Sequence, residues 1–412
     1  MTQSGELAHE QRQELPAAKS SALSLPPATS DVTSFRVQVP QRAVRDLQRR
    51  IRNARWPEKE LAPDWSQGVP LSDARDFVEY WASRYDWRRL EAEINSFGNY
   101  RTRLDGVGIH FIQAESPHAN ALPLILTHGW PGSIVEFLDC IGPLVDPVRY
   151  GGSAKDAFHV IIPSLPGFGF SDRPGERGWN YTRIARAWVE LMNRLGYEER
   201  WVAQGGDWGS AVVHVLALLK PAGLRAVHTN WPQVVPVRKP DQMTPEEQKA
   251  WAQVDEFQTI NNGYWREQAT RPQTLGYALA DSPIGLATWI LEKFQAWTDN
   301  SGEPQDALSN DRMLDNISLY WFTETITSSM RLYMECAPAG PGPFNAGRID
   351  FPIAASIFPR EIFKAPRSWA DRLWPNIVYW NEVDHGGHFA AMEQPDIFVN
   401  EVRNAFRTHQ GR

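Results

Sequence analysis

The stretch WVAQGGDWGSAVV, Trp201 to Val213, is an apolar run, a glycine-cushioned turn and the opening of a helix in quick succession. Glycines on both sides of Asp207 let the chain turn sharply, so the carboxylate stands at the crest, clear of the run before it. The crest is also a helix N-terminus, where amide groups and the macrodipole favour negative charge. Asp is a common N-cap as well, so the turn alone does not decide between a structural and a chemical carboxylate.

The surrounding text sets the frame. Continuous apolar runs recur at Leu122–Trp130, Phe158–Gly167, Arg200–Asp207 and Leu224–Trp231, with helical stretches between them at Tyr181–Gly196 and Ser210–Lys220. Apolar strands alternating with helices predict a parallel sheet covered on both faces, an α/β architecture. From 232 to 348 the text turns helical and aromatic. Two further strands are then expected, at Phe351–Pro359 and Asn376–Val383. A helical block interrupting a parallel sheet reads as a lid. Before the first run, FRVQVP predicts a short strand, and Val44, Leu47 and Ile51 fall at helical spacing. A helix over 71–85 follows, and RLEAEINSFGNYRTRLDGVGIHFIQAE reads as paired strands ending near Ala114. The expected organisation is a mobile tail at 1–33, an N-terminal domain at 34–119, a core in two parts at 120–231 and 349–412, and the lid between them.

Composition narrows the function classes. Of the 412 residues, 42% are hydrophobic and 22% charged, and the net charge is −7 with no basic run, which argues against nucleic acid as a partner. The N-terminus is polar where a signal peptide needs an apolar core, and no run is long enough to span a bilayer, so a cytoplasmic protein with no membrane anchor is expected. Cys140 and Cys336 read as reduced structural thiols. The histidines lack paired ligand spacing, so no metal and no cofactor are expected. The oligomeric state stays open, because the N-terminal segment either wraps a neighbour in a homodimer or braces its own lid.

Two motifs join Asp207. HGWPGS, His128–Ser133, directly follows the first core strand, and DHGGHF, Asp384–Phe389, follows the last. Gly205–Gly209 matches the G-x-S-x-G nucleophile turn of α/β-hydrolases with Asp in the Ser position. In that fold the amides of Trp130 and Trp208 make the oxyanion hole, and the order nucleophile, acid, histidine is the one expected. An Asp nucleophile suits attack on saturated carbon. It leaves an alkyl ester that water can cleave, whereas a serine would leave an inert ether. Epoxides and alkyl halides are the main substrates of that kind.

HGWPGS, PSLPGFGFSDRP, GGDWGS and GGHFAAMEQP, with RWPEKE near the N-terminus, resemble epoxide hydrolases of the microsomal type, in their soluble microbial branch. The resemblance runs from about residue 35 to the C-terminus. It implies Asp207 as nucleophile, His388 as the base that activates water, Glu361 as the acid that orients it, and the lid tyrosines Tyr264 and Tyr333 as acids for the epoxide oxygen. By position, His385 rivals His388, Asp384, Asp350 and Asp371 rival Glu361, and Tyr277 and Tyr320 rival the tyrosine pair. The implied substrates are a small apolar epoxide and water, converted to a vicinal diol through an ester on Asp207, in detoxification or the catabolism of aromatic hydrocarbons. A haloalkane dehalogenase shares the Asp nucleophile and is the alternative enzyme, though HGWP places Trp130 where those enzymes resemble HGNP. A non-catalytic binding protein of the same fold is the alternative outside enzymes.

Overall fold

The computed structural model describes residues 32–337 and 345–410, so all but the last two residues of the expected tail at 1–33 lie outside the described residues. Among the described residues, nine strands share one sheet: β1 (Thr33–Ser34), β2 (Gly98–Leu104), β3 (Val107–Ala114), β4 (Leu122–Thr127), β5 (Phe158–Pro163), β6 (Trp201–Gly205), β7 (Leu224–Thr229), β8 (Ile353–Ile357) and β9 (Ile377–Glu382), in the order 1-2-3-5-4-6-7-8-9. From β5 to β9 every pairing is parallel, while β1, β2 and β3 extend the sheet antiparallel at one edge. The expected core strands are all present, and β4, β6 and β8 are buried at every position. Burial on both faces is why they read as unbroken apolar runs rather than as alternation.

Helices α1 (Gln41–Arg52), α2 (Leu71–Ser83) and α3 (Trp87–Asn95) precede β2. The third corrects the sequence reading, which took 89–95 into a strand pair. Asp86 caps it by accepting from the Arg88 amide, and Trp87, Leu90 and Ile94 bury one helical face. A three-to-four-residue apolar spacing resembles strand alternation over so short a span. The strand expected in FRVQVP is also corrected: regular pairing is confined to β1, just before it, and only the Phe35 amide continues the ladder, to Asn99 O at 2.8 Å.

Helices α4 (Leu138–Val145), α5 (Tyr181–Arg194) and α6 (Trp208–Leu219) flank the core strands. Between β7 and β8 come α7 (Pro245–Thr259), α8 (Gly263–Thr270), α9 (Pro272–Asp281), α10 (Pro283–Trp297), α11 (Asn310–Thr323) and α12 (Ile326–Cys336). After β8 follow α13 (Arg367–Leu373), α14 (Ala390–Glu393) and α15 (Pro395–Phe406). No described helix is long and apolar enough to cross a membrane. Both cysteines are buried and unpaired.

The N-terminal helices clasp the insertion of their own chain. Arg50 pairs with Asp281 at 2.8 Å, Tyr80 donates to Asp311 at 3.0 Å, and Trp81 Nε1 donates to Ser318 Oγ at 2.8 Å. The fully buried Asp315 carboxylate receives Tyr85 OH at 2.9 Å and Arg89 at 2.5 Å, with Arg312 beside it at 3.4 Å. Burial raises the Asp315 pKa to about 6, even with Arg89 drawing it down. Replacing Arg89 by Ala strips this carboxyl of its closest cation. We expect a loss of about 1–2 kcal/mol in a denaturant or thermal melt, held to that size because Arg312 and Tyr85 remain and Arg89 is partly in water.

Candidate active site

Asp207 sits at the end of β6 with φ 48° and ψ −124°, a left-handed-side conformation that is rare for a residue carrying a Cβ. The surroundings allow no relaxation. A Cβ on Gly209 would lie 2.0 Å from the Thr127 carbonyl oxygen, and one on Gly205 would lie 2.2 Å from Gly209 O. Only glycines let α6 approach β4 and β6 this closely. Asp207 occupies the N-cap position of α6, yet its side chain makes no capping bond. Oδ1 instead accepts the Trp130 amide at 2.7 Å, and Oδ2 lies 3.2 Å from His388 Nε2. The N-cap alternative left open by the sequence therefore falls.

His388 is buried between two carboxylates. Its Nδ1 donates to Glu361 Oε1 at 2.5 Å, while Nε2 faces Asp207. Burial alone would depress its pKa. The charges of Glu361 and Asp207 outweigh it and hold the ring well above its ordinary 6.5, as an imidazolium. Glu361 Oε1 also accepts the Ile362 amide at 2.8 Å, which fixes the carboxylate.

Tyr264 and Tyr333, from α8 and α12, are buried with ring centroids 5.9 Å apart. Tyr264 stacks on Trp130 at 5.6 Å, and Tyr333 stands edge-on to Trp208 at 4.8 Å. Burial, with the Asp207 charge added, pushes both phenols well above their ordinary pKa, so both are protonated donors at neutral pH. Trp208 is the first residue of α6, where backbone amides have no intrahelical acceptor. The seven residues singled out from the sequence are thus linked in one cluster: Asp207 contacts Trp130 and His388, His388 contacts Glu361, and the two tyrosine rings pack on Trp130 and Trp208.

Their rivals lie elsewhere. His385, Asp384, Asp350, Asp371 and Tyr277 are exposed, with Asp350 paired to Lys220 and Asp371 to Arg367. Tyr320 is buried, but its OH donates to Gly132 O at 2.7 Å. A cleft of about 590 Å³ lined by Arg103, Asp172 and Thr323 contains none of the seven.

Several supporting groups escaped the sequence reading. Asn316 Nδ2 donates to Pro131 O at 2.7 Å, so α11 draws the carbonyls of the HGWPGS loop back while the Trp130 amide points at Asp207. Trp297 O accepts the His388 amide at 2.8 Å, and Asp299 Oδ2 accepts that of Gly386 at 2.9 Å. Glu393 joins the two loops by accepting from Asp299 N at 2.7 Å and Phe389 N at 3.0 Å, and burial raises its pKa to about 7. Glu136, whose pKa burial lifts to about 8, lies within the fields of His388 and Asp207. Glu393 stands inside the quoted GGHFAAMEQP motif, but nothing local marks its partner at Asp299.

Known proteins share this arrangement of elements. Residues 32–137 match the Epoxide hydrolase N terminus family, and 123–273 the alpha/beta hydrolase fold family. Epoxide hydrolase 1 of Sus scrofa is 32% identical, over 92% of this chain and 90% of its own length. This chain is a member of the epoxide hydrolase family. A Stigmatella aurantiaca protein that bears the epoxide hydrolase name provisionally is 59% identical, over 91% of this chain and 85% of its own. The epoxide hydrolase of Aspergillus niger superposes with a TM-score of 0.81 at 31% identity, covering 92% of this chain and 97% of its own. This epoxide hydrolase therefore has the α/β-hydrolase fold expected, and the dehalogenase and binding-protein alternatives are set aside.

The charge pairing around His388 has a measurable consequence. In Asp207→Ala, one of the two carboxylates holding the imidazole proton is gone. Titration of labelled His388 by NMR should show the ring giving up its proton at a lower pH than in the native enzyme.

Proposed function

We propose that this epoxide hydrolase works through a covalent ester on Asp207. The observation that carries the reading is the Asp207 carboxylate, held between the Trp130 amide and the His388–Glu361 pair beneath two buried phenols. A carboxylate oxygen attacks one epoxide carbon, the ring C–O bond breaks, and its electron pair leaves on the ring oxygen. An alkoxide is a poor leaving group, so Tyr264 and Tyr333 donate to that oxygen as it departs, assistance worth about 10²–10⁴ in rate. The product of this step is a hydroxyalkyl ester.

Esterification also resets the base. In the free enzyme His388 carries a proton because Asp207 and Glu361 are both charged. The ester neutralises Asp207, the imidazolium loses one of its partners, and its proton returns to the phenolate left by the first step. Neutral His388, oriented by Glu361, then takes a proton from water as the hydroxide attacks the Asp207 carboxyl carbon. The amides of Trp130 and Trp208 hold the resulting oxyanion. As it collapses the ester C–O bond breaks, and the departing alkoxide takes the proton that His388 drew from water. The vicinal diol leaves while the new Asp207 carboxyl group gives its proton back to His388. The insertion bearing the tyrosines serves as the lid. The aromatic walls of Trp130, Trp208, Trp265 and Trp297 suit an apolar epoxide, aryl or alkyl.

One turnover of styrene oxide with excess enzyme in ¹⁸O-water tests the scheme. The heavy oxygen should enter the Asp207 carboxylate and be nearly absent from the first diol released. His388→Ala should accumulate the ester and Asp207→Ala should form none, as read by mass spectrometry of the Asp207 peptide. An active Asp207→Ala enzyme would remove the proposal. Phenylalanine at either Tyr264 or Tyr333 should slow ester formation by about 10- to 100-fold, as one of two donors sharing the acid assistance.

A further inference from the structure

A buried lysine stands against the proposed acid. Lys293, near the end of α10, is 5% exposed, and its Nζ lies 4.4 Å from the centroid of the Tyr264 ring and 5.3 Å from that of Trp297. Its ion-pair partner is its neighbour Glu292. A lysine ammonium is strongly hydrated, and its flexible stem usually carries it to water. Burial lowers the Lys293 pKa while Glu292 opposes that change, so enclosing this cation works against its charge. The compensation visible in the structure is the aromatic face of Tyr264 together with the Glu292 carboxylate.

We propose that Lys293 is a positioning residue for ester formation: its ammonium against the Tyr264 ring favours the phenolate that forms when Tyr264 gives its proton to the epoxide oxygen. The inference rests on the reading of Tyr264 as a leaving-group acid. The charges around that ring show why the acid needs a cation. Burial opposes a phenolate, as do Glu292 from α10 and Glu361 beside His388, and Asp207 from the elbow opposes it until its charge passes into the ester. Tyr333 favours it by a hydrogen bond, and the imidazolium of His388 lies across Trp297, 5.1 Å from that ring. Lys293 is the cation on the ring of Tyr264 itself.

Charge moves through the site in step with this placement. As the Asp207 oxygen bonds to carbon and the epoxide C–O bond breaks, one negative charge leaves Asp207. The ring oxygen takes the Tyr264 proton, so the charge arrives on the phenol, next to Lys293. When His388 returns a proton to the phenolate, the assistance is no longer required. Lys293 therefore acts on ester formation and not on ester hydrolysis.

Rapid-quench measurement of the Asp207 ester with styrene oxide separates the two steps. Lys293→Met should slow ester formation by about 3- to 30-fold, the span from an exposed to a desolvated cation–π contact. Ester hydrolysis should not be slowed, because a phenolate without the lysine takes the His388 proton at least as readily, and Lys293→Arg should restore most of the loss. In a Tyr264→Phe background, Lys293→Met should have no further effect on ester formation, because no phenolate forms at that position. In a Tyr333→Phe background it should keep its full effect. Lys293→Gln serves the same comparison if the Met variant folds poorly. Equal losses in the two backgrounds, equal slowing of both steps, or a native rate in Lys293→Met would overturn the inference while leaving the acid reading intact. A Tyr264→Phe enzyme that forms ester at the native rate would remove the acid reading and this inference with it.

Discussion

The site, and the reaction proposed for it, depend on one constrained residue, a carboxylate held at positive φ on the turn between β6 and α6. The cost of such a backbone is about 1–3 kcal/mol, sustained only because the surroundings determine it completely. The close contacts of Gly205 and Gly209 with neighbouring backbone carbonyls provide that determination. With the turn so fixed, Asp207 cannot fold back to cap its own helix. Its two oxygens are presented to different partners, an amide on one side and an imidazole on the other.

Around that carboxylate the site is organised by where charge rests before reaction and where it goes afterwards. In the resting state the negative charges of Asp207 and Glu361 enclose a protonated His388. Two phenols and two indoles form the remaining wall, low in polarity but able to donate. Low dielectric strengthens every one of these interactions, and it also makes an unbalanced charge expensive. The proposed ester avoids the imbalance by removing one carboxylate charge at the moment His388, as the proposed base, has to become neutral.

The tyrosines and the His loop reach the site from a helical insertion and a late turn, both far along the chain from the elbow. Their placement relies on ties between elements. Asp299 and Glu393 bind the end of α10 to the His loop, and Asn316 and Tyr320 bind α11 to the HGWPGS loop. The N-terminal helices then grip α11 through Asp315 and Ser318. That segment braces the insertion of its own chain, one of the two roles its sequence left open.

Local chemistry determined much of this from the sequence alone. Apolar runs buried on both faces made the core strands legible, and the glycines about Asp207 announced a turn that only a small side chain permits. The motifs carried Asp207, Trp130 and His388 because each is positioned by its immediate neighbours. Where local signals were ambiguous the reading failed, as at Trp87–Asn95, whose short apolar spacing fits helix and strand alike. Only the tertiary structure decided what depends on distance between separate elements. Glu361 prevails over Asp384 because its loop brings it to His388 Nδ1, while Asp384, next to the His loop in sequence, faces solvent. Tyr264 is set apart from Tyr277 by burial against Trp130. Lys293 carries no mark in its own helix, since a charge acts through space on whatever the fold places beside it.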